Sequence, residues 1–127
     1  MKNIIDTHAV IWLAANASQL SLTAKHAIFN PASKNYVSIV SAWEICIKIS
    51  LGKLRIEGGV AEFFNIIYEN GFELLPLKED YIKLLEALPL LHRDPFDRML
   101  IASAIYEGMN LITADDNIRL YNVSCLW

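Results

Sequence analysis

Short apolar runs alternate along this chain with longer segments of helical periodicity, and this alternation limits the possible folds more than any other feature. The runs are rich in β-branched and aromatic residues and predict strands at 3–6, 36–39, 72–77, 110–113 and 122–126. The intervening segments predict helices at 7–15, 21–29, 41–51, 60–70, 78–88 and 95–107. Strands that alternate with helices, and are apolar throughout, are typical of a parallel sheet covered on both faces. The sequence therefore predicts a three-layer α/β/α sandwich with about five strands.

Local signals predict where several of these helices begin and end. Ser21 is a predicted N-cap, and Pro31 stops the helix that follows it. Ser41 is predicted to begin the third helix, with Gly52 just beyond its end. Asp94 and Pro95 form a strong start for the helix at 95–107, and Gly108 follows its last residue.

Length and composition predict one globular domain over residues 1–127. Apolar residues make up 54% of the chain and charged residues 20%, which permits a real core and excludes intrinsic disorder. The formal net charge of -3 argues against a protein that binds nucleic acid or membranes through bulk positive charge. Cys46 and Cys125 have apolar neighbours and no metal-ligand spacing, so we expect small core residues in a reducing compartment.

No apolar run approaches the ~18 residues of a membrane span. The apolar stretch near the amino terminus is interrupted by Asp6 and His8, and the remainder is short for a secretion signal. We therefore expect a cytoplasmic protein that does not associate with membranes.

Four acidic residues lie where predicted strands end or where the following helices begin. Asp6 ends the first strand, Asp115 follows the fourth, and Glu44 and Asp97 lie in the first turns of two predicted helices. The carboxyl ends of parallel strands meet at one edge of a sheet, which is where functional groups gather in such folds. We expect these four side chains to lie close together.

Each acid also has a purely structural interpretation. Ser41 and Glu44 have the spacing of a capping box, in which Glu44 would bond back to the Ser41 amide. Asp97 stands at the third position of a helix that Asp94 caps, and Asp6 and Asp115 are acceptable caps or turn residues. For a single acid, capping is the more common role.

The set of four favours a metal site, because clustered carboxylates repel one another unless a cation compensates. Oxygen ligands of this kind suit Mg²⁺ or Mn²⁺. The three histidines, His8, His26 and His92, are scattered without ligand spacing, which argues against zinc. The sequence has no Gly-rich phosphate loop and no Gly-x-Ser-x-Gly nucleophile motif.

The same residues resemble the PIN-domain family, and more narrowly the VapC-type toxins of bacterial and archaeal toxin–antitoxin pairs. The resemblance covers essentially the whole chain in the family's order. Its motifs are Ile5-Asp6-Thr7-His8-Ala9, Val37-Ser38, Ser41-Ala42-Trp43-Glu44-Ile45, residues 48–54, the stretch from Asp94 to Ala102, and Leu111-Ile112-Thr113-Ala114-Asp115.

The resemblance implies a metal-dependent endoribonuclease on a sheet with strand order 3-2-1-4-5. The family's metal-binding and catalytic acids match Asp6, Glu44, Asp97 and Asp115, and its accompanying hydroxyl matches Thr113. One or two Mg²⁺ ions would activate a water that cleaves RNA to a 5′-phosphate and a 3′-hydroxyl. The implied partners are RNA, a small antitoxin protein and a second copy of the chain.

Basic and aromatic residues near the expected site are harder to assign. Lys48, Lys53, Arg55, Arg93 and Arg98 border it, and Arg98 is the best candidate for contact with RNA phosphates. Lys48 follows Glu44 by four residues, so it can equally pair with Glu44 on one helix face. Trp12, Trp43 and Phe96 are expected in the core rather than as base-stacking platforms.

Two other classes of protein have similar patterns. A phospho-acceptor signalling domain is also a small α/β sandwich, but it needs paired acids after strand one and a Lys after the last strand, and both are missing here. A catalytically silent α/β binding module would lack an intact set of acids, and this chain has all four.

Overall fold

Five parallel strands form the centre of the computed structural model, which describes residues 1–127. The strands are β1 (Lys2–Ile5), β2 (Lys34–Ser38), β3 (Glu73–Leu75), β4 (Asn110–Ile112) and β5 (Cys125–Leu126). Their order across the sheet is β3-β2-β1-β4-β5, and every neighbouring pair is parallel. The predicted strand order and the parallel sheet are confirmed.

Six helices connect the strands and cover both faces of the sheet. They are α1 (Thr7–Ala14), α2 (Leu22–Phe29), α3 (Ile39–Ser50), α4 (Gly59–Glu69), α5 (Glu79–Ala87) and α6 (Pro95–Glu107), and a short 3₁₀ turn spans Ile118–Leu120. No helix in the structure has the length and apolar character needed to cross a bilayer.

The core consists of two apolar clusters, one on each face of the sheet. Adjacent residues of β1 contribute to different clusters, because successive side chains of a strand point to opposite faces. Ile5 packs with residues of α1–α4, whereas Ile4 packs with residues of α5 and α6. This arrangement is the predicted three-layer α/β/α sandwich.

The strongest local signals set the helix ends where the sequence predicts them. Ser21 Oγ accepts a hydrogen bond from the Ala24 amide at 3.0 Å and caps α2. Asp94 caps α6 through Phe96 N and Asp97 N, Pro95 is its first residue, and Gly108 ends it with a φ of 66°.

The start of α3 is a correction. Ser38, not Ser41, is the N-cap, and its Oγ accepts from the Val40 amide at 3.1 Å. Ile39, which the sequence assigns to a strand, is the first helical residue. Ser38 pairs with Leu75 in the sheet, so strand pairing ends there and the first of the two serines is placed to cap. Glu44 consequently lies in the second turn of α3.

Cys46 and Trp43 are exposed, contrary to the core positions expected for them. The buried residues of α3 include Ser41, Glu44 and Ile45, which share the face toward the sheet. Residues 43 and 46 are three apart and lie together on the outer face of the same helix. Cys125 is half-buried, as are Trp12 and Phe96.

Three asparagines form a ladder near the amino ends of the central strands. Asn3 in β1 lies in register with Asn35 of β2 and Asn110 of β4. Asn3 Nδ2 donates to Asn35 Oδ1 at 2.9 Å, and Asn110 Nδ2 donates to Asn3 Oδ1 at 3.2 Å. Asn35 Nδ2 continues the ladder to the Ile28 carbonyl at 2.7 Å, which ties α2 to the sheet. Asn3 is fully buried, so its amide groups depend on these partners.

We predict that Asn3→Leu lowers the free energy of unfolding by about 2 kcal/mol, because the buried Asn35 and the half-buried Asn110 both lose a hydrogen-bond partner. Urea unfolding measures the change. The matched control is Asn65→Leu, at an exposed position on α4, which should stay within about 0.5 kcal/mol of the parent chain. Equal effects of the two substitutions would contradict a structural role for the ladder.

Candidate functional site

Asp6 follows the last residue of β1 and begins α1. Its Oδ1 accepts a hydrogen bond from the Ala9 amide at 2.8 Å, so it is the N-cap of that helix. The side chain is buried, with 6% of its surface exposed. Burial raises the pKa of Asp6, and the charge of Asp115 acts in the same direction, against hydrogen bonds from Thr113 and Ala9 that favour the ionised form. Asp6 therefore serves as a cap and still presents a carboxylate at the sheet edge.

Glu44 is held by a chain of polar side chains between α1 and α3. The Thr7 hydroxyl donates to Glu44 Oε1 at 2.8 Å and lies 2.9 Å from Ser41 Oγ. Lys48 Nζ lies 2.8 Å from Glu44 Oε2, one turn further along α3. Glu44 is almost fully buried and does not bond back to the Ser41 amide, so the capping-box interpretation is wrong.

Asp97 lies in the first turn of α6, one turn inside the cap formed by Asp94. His92 Nε2 is 3.0 Å from Asp97 Oδ2. Burial raises the pKa of Asp97 to about 6; the hydrogen bond from His92 opposes this shift, and the charges of Asp94, Glu44 and Asp115 add to it. The neighbouring acids therefore destabilise the ionised form of Asp97, in addition to the effect of burial.

Thr113 and Asp115 follow β4 and complete the edge. Thr113 is fully buried, and its Oγ1 accepts from the Asp115 amide at 3.1 Å. Its side chain also favours the ionised form of Asp6 and so acts to lower the pKa of that carboxyl. Asp115 Oδ1 accepts from the Asn117 amide at 2.8 Å, which fixes the turn. Asp116, the next residue, is exposed.

All four predicted acids come to the same edge of the sheet. Glu44 and Asp115 both act electrostatically on Asp97, and Asp115 acts on Asp6. Lys48 is the only basic side chain in an ion pair with any of the four apart from His92. The roles of these acids as metal ligands and catalytic groups stay predictions.

The donor set fits a hard divalent cation. It offers carboxylate oxygens from Asp6, Glu44, Asp97 and Asp115, and oxygen donors are the ligands that Mg²⁺ and Mn²⁺ prefer. Burial is the main cause of the raised pKa values of Asp6 and Asp97, and the like charges of neighbouring acids add to it. A cation at this edge would favour the ionised forms of both carboxyls.

His92 belongs to this site, contrary to the expectation that the histidines are scattered. Ligand atoms of His92, Asp94 and Asp97 all lie within 4.8 Å of one another. The irregular segment before α6 brings the ring back over the first turn of the helix. In the sequence, the only indication of this contact is that His92 lies five residues before Asp97. That closeness alone does not predict which way the loop folds.

Two of the five basic residues near the site have structural partners, and the other three are exposed. Lys48 pairs with Glu44, which is the alternative that the sequence leaves open. The guanidinium of Arg98 donates to the Pro89 carbonyl and the Tyr121 hydroxyl, both at 2.8 Å, so it is engaged within the fold. Lys53, Arg55 and Arg93 are exposed.

An aromatic pair, exposed Trp43 and half-buried Phe96, lies beside the acids. Trp43 precedes Glu44 and is 60% exposed; Phe96 precedes Asp97. Their ring centroids are 5.2 Å apart at an interplanar angle of 78°, an edge-to-face contact between α3 and α6.

Comparisons with known proteins agree with this fold. The family model described as the PIN domain matches residues 4–123. A curated relative, the ribonuclease VapC22 of Mycobacterium tuberculosis, is 26% identical over 117 residues, which cover 91% of this chain and 88% of that protein.

Among solved structures, the VapBC2 complex from Rickettsia felis bound to a DNA fragment from their promoter has a TM-score of 0.73 at 13% identity, covering 98% of this chain and 97% of that chain. VapBC-1 from nontypeable Haemophilus influenzae has a TM-score of 0.69 at 17% identity, covering 98% and 96%. At these identities the two likenesses establish the fold alone.

We predict that Asp97→Asn stabilises the metal-free protein at neutral pH. A carboxyl whose folded pKa of about 6 exceeds the ordinary 3.8 contributes most stability below pH 3.8, and that contribution is lost as pH rises through 6. Asn does not ionise, so the variant should gain on the order of 1 kcal/mol at pH 7.5 and little at pH 4.

Thermal and urea unfolding in chelator at the two pH values measure this difference. The control is Glu86→Gln, an exposed acid of α5 away from the site, which should change stability by less than about 0.5 kcal/mol at both pH values. A loss of stability in Asp97→Asn that is the same at both pH values would contradict the interpretation.

Proposed function

The chain belongs to the PIN-domain family, and from this membership we propose that residues 1–127 form a single-domain, metal-dependent endoribonuclease of the cytoplasm, the toxin of a VapC-type toxin–antitoxin pair. The observation that carries the proposal is the convergence of four acids, from four separate elements, on one edge of a parallel sheet. Ordinary capping accounts for Asp6 in part, but it does not explain why Glu44 and Asp97 are buried toward the same place.

Asp6, Glu44, Asp97 and Asp115 would hold one or two divalent ions, Mg²⁺ or Mn²⁺. When bound, such an ion supplies Lewis-acid activation of the phosphodiester and lowers the pKa of a water ligand. The curated relative named a ribonuclease supports RNA as the substrate.

The protein's own residues keep these carboxylates in fixed orientations. Thr7 and Lys48 occupy the two oxygens of Glu44, the Ala9 amide holds Asp6 Oδ1, and Thr113 Oγ1 accepts from the Asp115 amide. Preorganised charge of this kind needs no rearrangement when the reaction begins.

Attack on the phosphorus requires an acceptor for the proton of the attacking water. A carboxylate beside the metal can accept it, and the side chain of Asp97 keeps 19% of its surface accessible to water. We assign this role to Asp97, with His92 holding its Oδ2. In-line attack would break the bond between phosphorus and the 3′ oxygen. One fragment would keep a 5′-phosphate, and the leaving 3′ oxygen would take a proton from solvent to become a 3′-hydroxyl.

An open groove supports the proposed antitoxin partner. It has a volume of about 830 Å³ and lies between α1, α4 and the segment that carries Arg55. Its wall is apolar at Ile11, Leu13, Ile56 and Ile66, and Glu57, Glu62 and Glu69 line it as well. This combination suits an amphipathic segment with basic side chains. Two structural neighbours are VapBC complexes, which is consistent with such a partner.

The outer face of α3 supports the proposed homodimer. Trp43 and Cys46 are exposed there, and Leu51 follows the helix as another exposed apolar side chain. Exposed apolar surface of this kind is typical of association sites.

We predict cleavage of total cellular RNA in Mg²⁺ or Mn²⁺ that stops in excess chelator. Asp97→Asn should lower the rate by about 100-fold or more, because it removes both a ligand and the proton acceptor. Asp94→Asn, three residues away, should cleave at nearly the parent rate. Gel analysis of 5′-labelled RNA measures both; fragments that persist unchanged in chelator, or an active Asp97→Asn variant, would contradict the mechanism.

We predict that the chain alone arrests growth and that co-expression of the neighbouring small open reading frame restores it. Glu69→Lys, on the groove, should leave RNA cleavage intact but weaken rescue by about ten-fold in the antitoxin dose required. Glu86→Lys is the matched control, an exposed residue of α5 outside the groove. Equal rescue of the two variants would exclude the groove as the antitoxin site.

A further inference from the structure

The segment between α5 and α6 has no regular structure from residue 88 to residue 94, yet it carries His92. The side chain of Tyr121, near the carboxyl end of the chain, is hydrogen-bonded to this segment. The Tyr121 hydroxyl accepts hydrogen bonds from the Leu91 amide and the His92 amide, each at 3.0 Å. Tyr121 is 5% exposed, so water does not readily replace it as the acceptor for these amides.

Arg98 completes this attachment from α6. Its Nη1 donates to Tyr121 Oη and to the Pro89 carbonyl, both at 2.8 Å, and its guanidinium lies 5.9 Å from the centre of the Tyr121 ring. The segment is therefore held by a carbonyl at Pro89 and by two amides at positions 91 and 92. These groups are all hydrogen-bonded to the same two side chains, Tyr121 and Arg98.

The attachment ends at the candidate site. The backbone of His92 is fixed by Tyr121, and the ring of His92 contacts Asp97 Oδ2 at 3.0 Å. Among the side-chain hydrogen bonds of the structure, this is the only one that Asp97 makes. Arg98 is the next residue after Asp97, so one helical turn carries both the carboxylate and the attachment that orients its partner.

We propose that Tyr121 and Arg98 are positioning residues, which hold the 88–94 segment so that His92 orients the carboxylate of Asp97. The proposal rests on the proposed function for its catalytic consequence, although its structural part holds for the protein without metal or RNA. The Tyr121 hydroxyl makes no hydrogen bond to any of the four acids, and its bonds to the 88–94 segment reach Asp97 through His92.

The test is Tyr121→Phe, which keeps the ring in the core and removes only the accepting oxygen. Tyr106→Phe is the matched control: it deletes a hydroxyl from α6 that bonds Asp80, away from the 88–94 segment. In the metal-free protein, hydrogen exchange of the Leu91 and His92 amides should accelerate by at least about ten-fold in Tyr121→Phe alone. The Met109 amide, bonded to the Ala104 carbonyl, is an internal reference that should not change.

Two further measurements connect the loop to Asp97. The ¹⁵N resonance of His92 Nε2 should lose its hydrogen-bonded signature in Tyr121→Phe, and Mn²⁺ affinity by calorimetry should fall about five-fold or more. With RNA, kcat should fall about ten-fold while KM stays within about two-fold, because substrate contacts are unchanged and only the geometry at Asp97 is disturbed.

A double substitution tests whether Tyr121 acts through His92. In a His92→Ala background, Tyr121→Phe should cause little additional loss of Mn²⁺ affinity or kcat. Additive losses would overturn the proposal, as would protected Leu91 and His92 amides in Tyr121→Phe or an unchanged His92 resonance. If the parent chain does not cleave RNA, the proposed function fails, but exchange, the His92 resonance and Mn²⁺ affinity still decide the positioning role.

Discussion

The candidate site depends on the parallel pairing of β1 with β4, in which Ile5 lies opposite Ile112. This register brings the ends of two central strands to the same level. Asp6 is the first residue after β1, and Asp115 is the third residue after β4. The helix α6 runs back along the sheet before β4, so its amino-terminal turn, with Asp97, lies at the same edge. The helix α3 leaves β2 there and carries Glu44 in its second turn. Charge accumulates at this edge because the topology leaves no other place for these residues.

Such an accumulation is unfavourable for the fold, and the neighbouring polar groups limit the cost. The Ala9 amide and the amino end of α1 stabilise Asp6, and Lys48 pairs with Glu44. The serine and threonine hydroxyls around the acids are hydrogen-bonded; Ser33 Oγ, elsewhere, is the single buried side-chain polar atom without a partner. The remaining cost appears in the raised pKa values of Asp6 and Asp97. Unfavourable electrostatics of this kind are typical of functional sites, where activity is retained at some cost in stability.

How much the sequence predicts depends on whether a feature is encoded locally. The bounds of α6 follow from Asp94, Pro95 and Gly108, which each act on their own neighbours, and the prediction is confirmed. The start of α3 does not follow from its local sequence. Ser38 and Ser41 are both acceptable caps, and only the pairing of Ser38 with Leu75 in the sheet distinguishes them. The four acids could be located from strand ends, since parallel topology alone brings them together. The contact of His92 with Asp97 could not be predicted from the sequence. It depends on a loop that is hydrogen-bonded to Tyr121, a residue distant from the loop in the chain.

The four acids also differ in what holds them, which bears on how the site can change. Asp6 is hydrogen-bonded to α1, Glu44 to α1 and its own helix, and Asp115 to its own turn. Each of these partners belongs to a regular element or a tight turn. Asp97 is the exception, since its side-chain partner lies on an irregular segment attached through one hydroxyl and one guanidinium. Of the four carboxylates, Asp97 therefore has the orientation that is most easily altered, and the 88–94 segment is where a substitution or a bound partner would alter it.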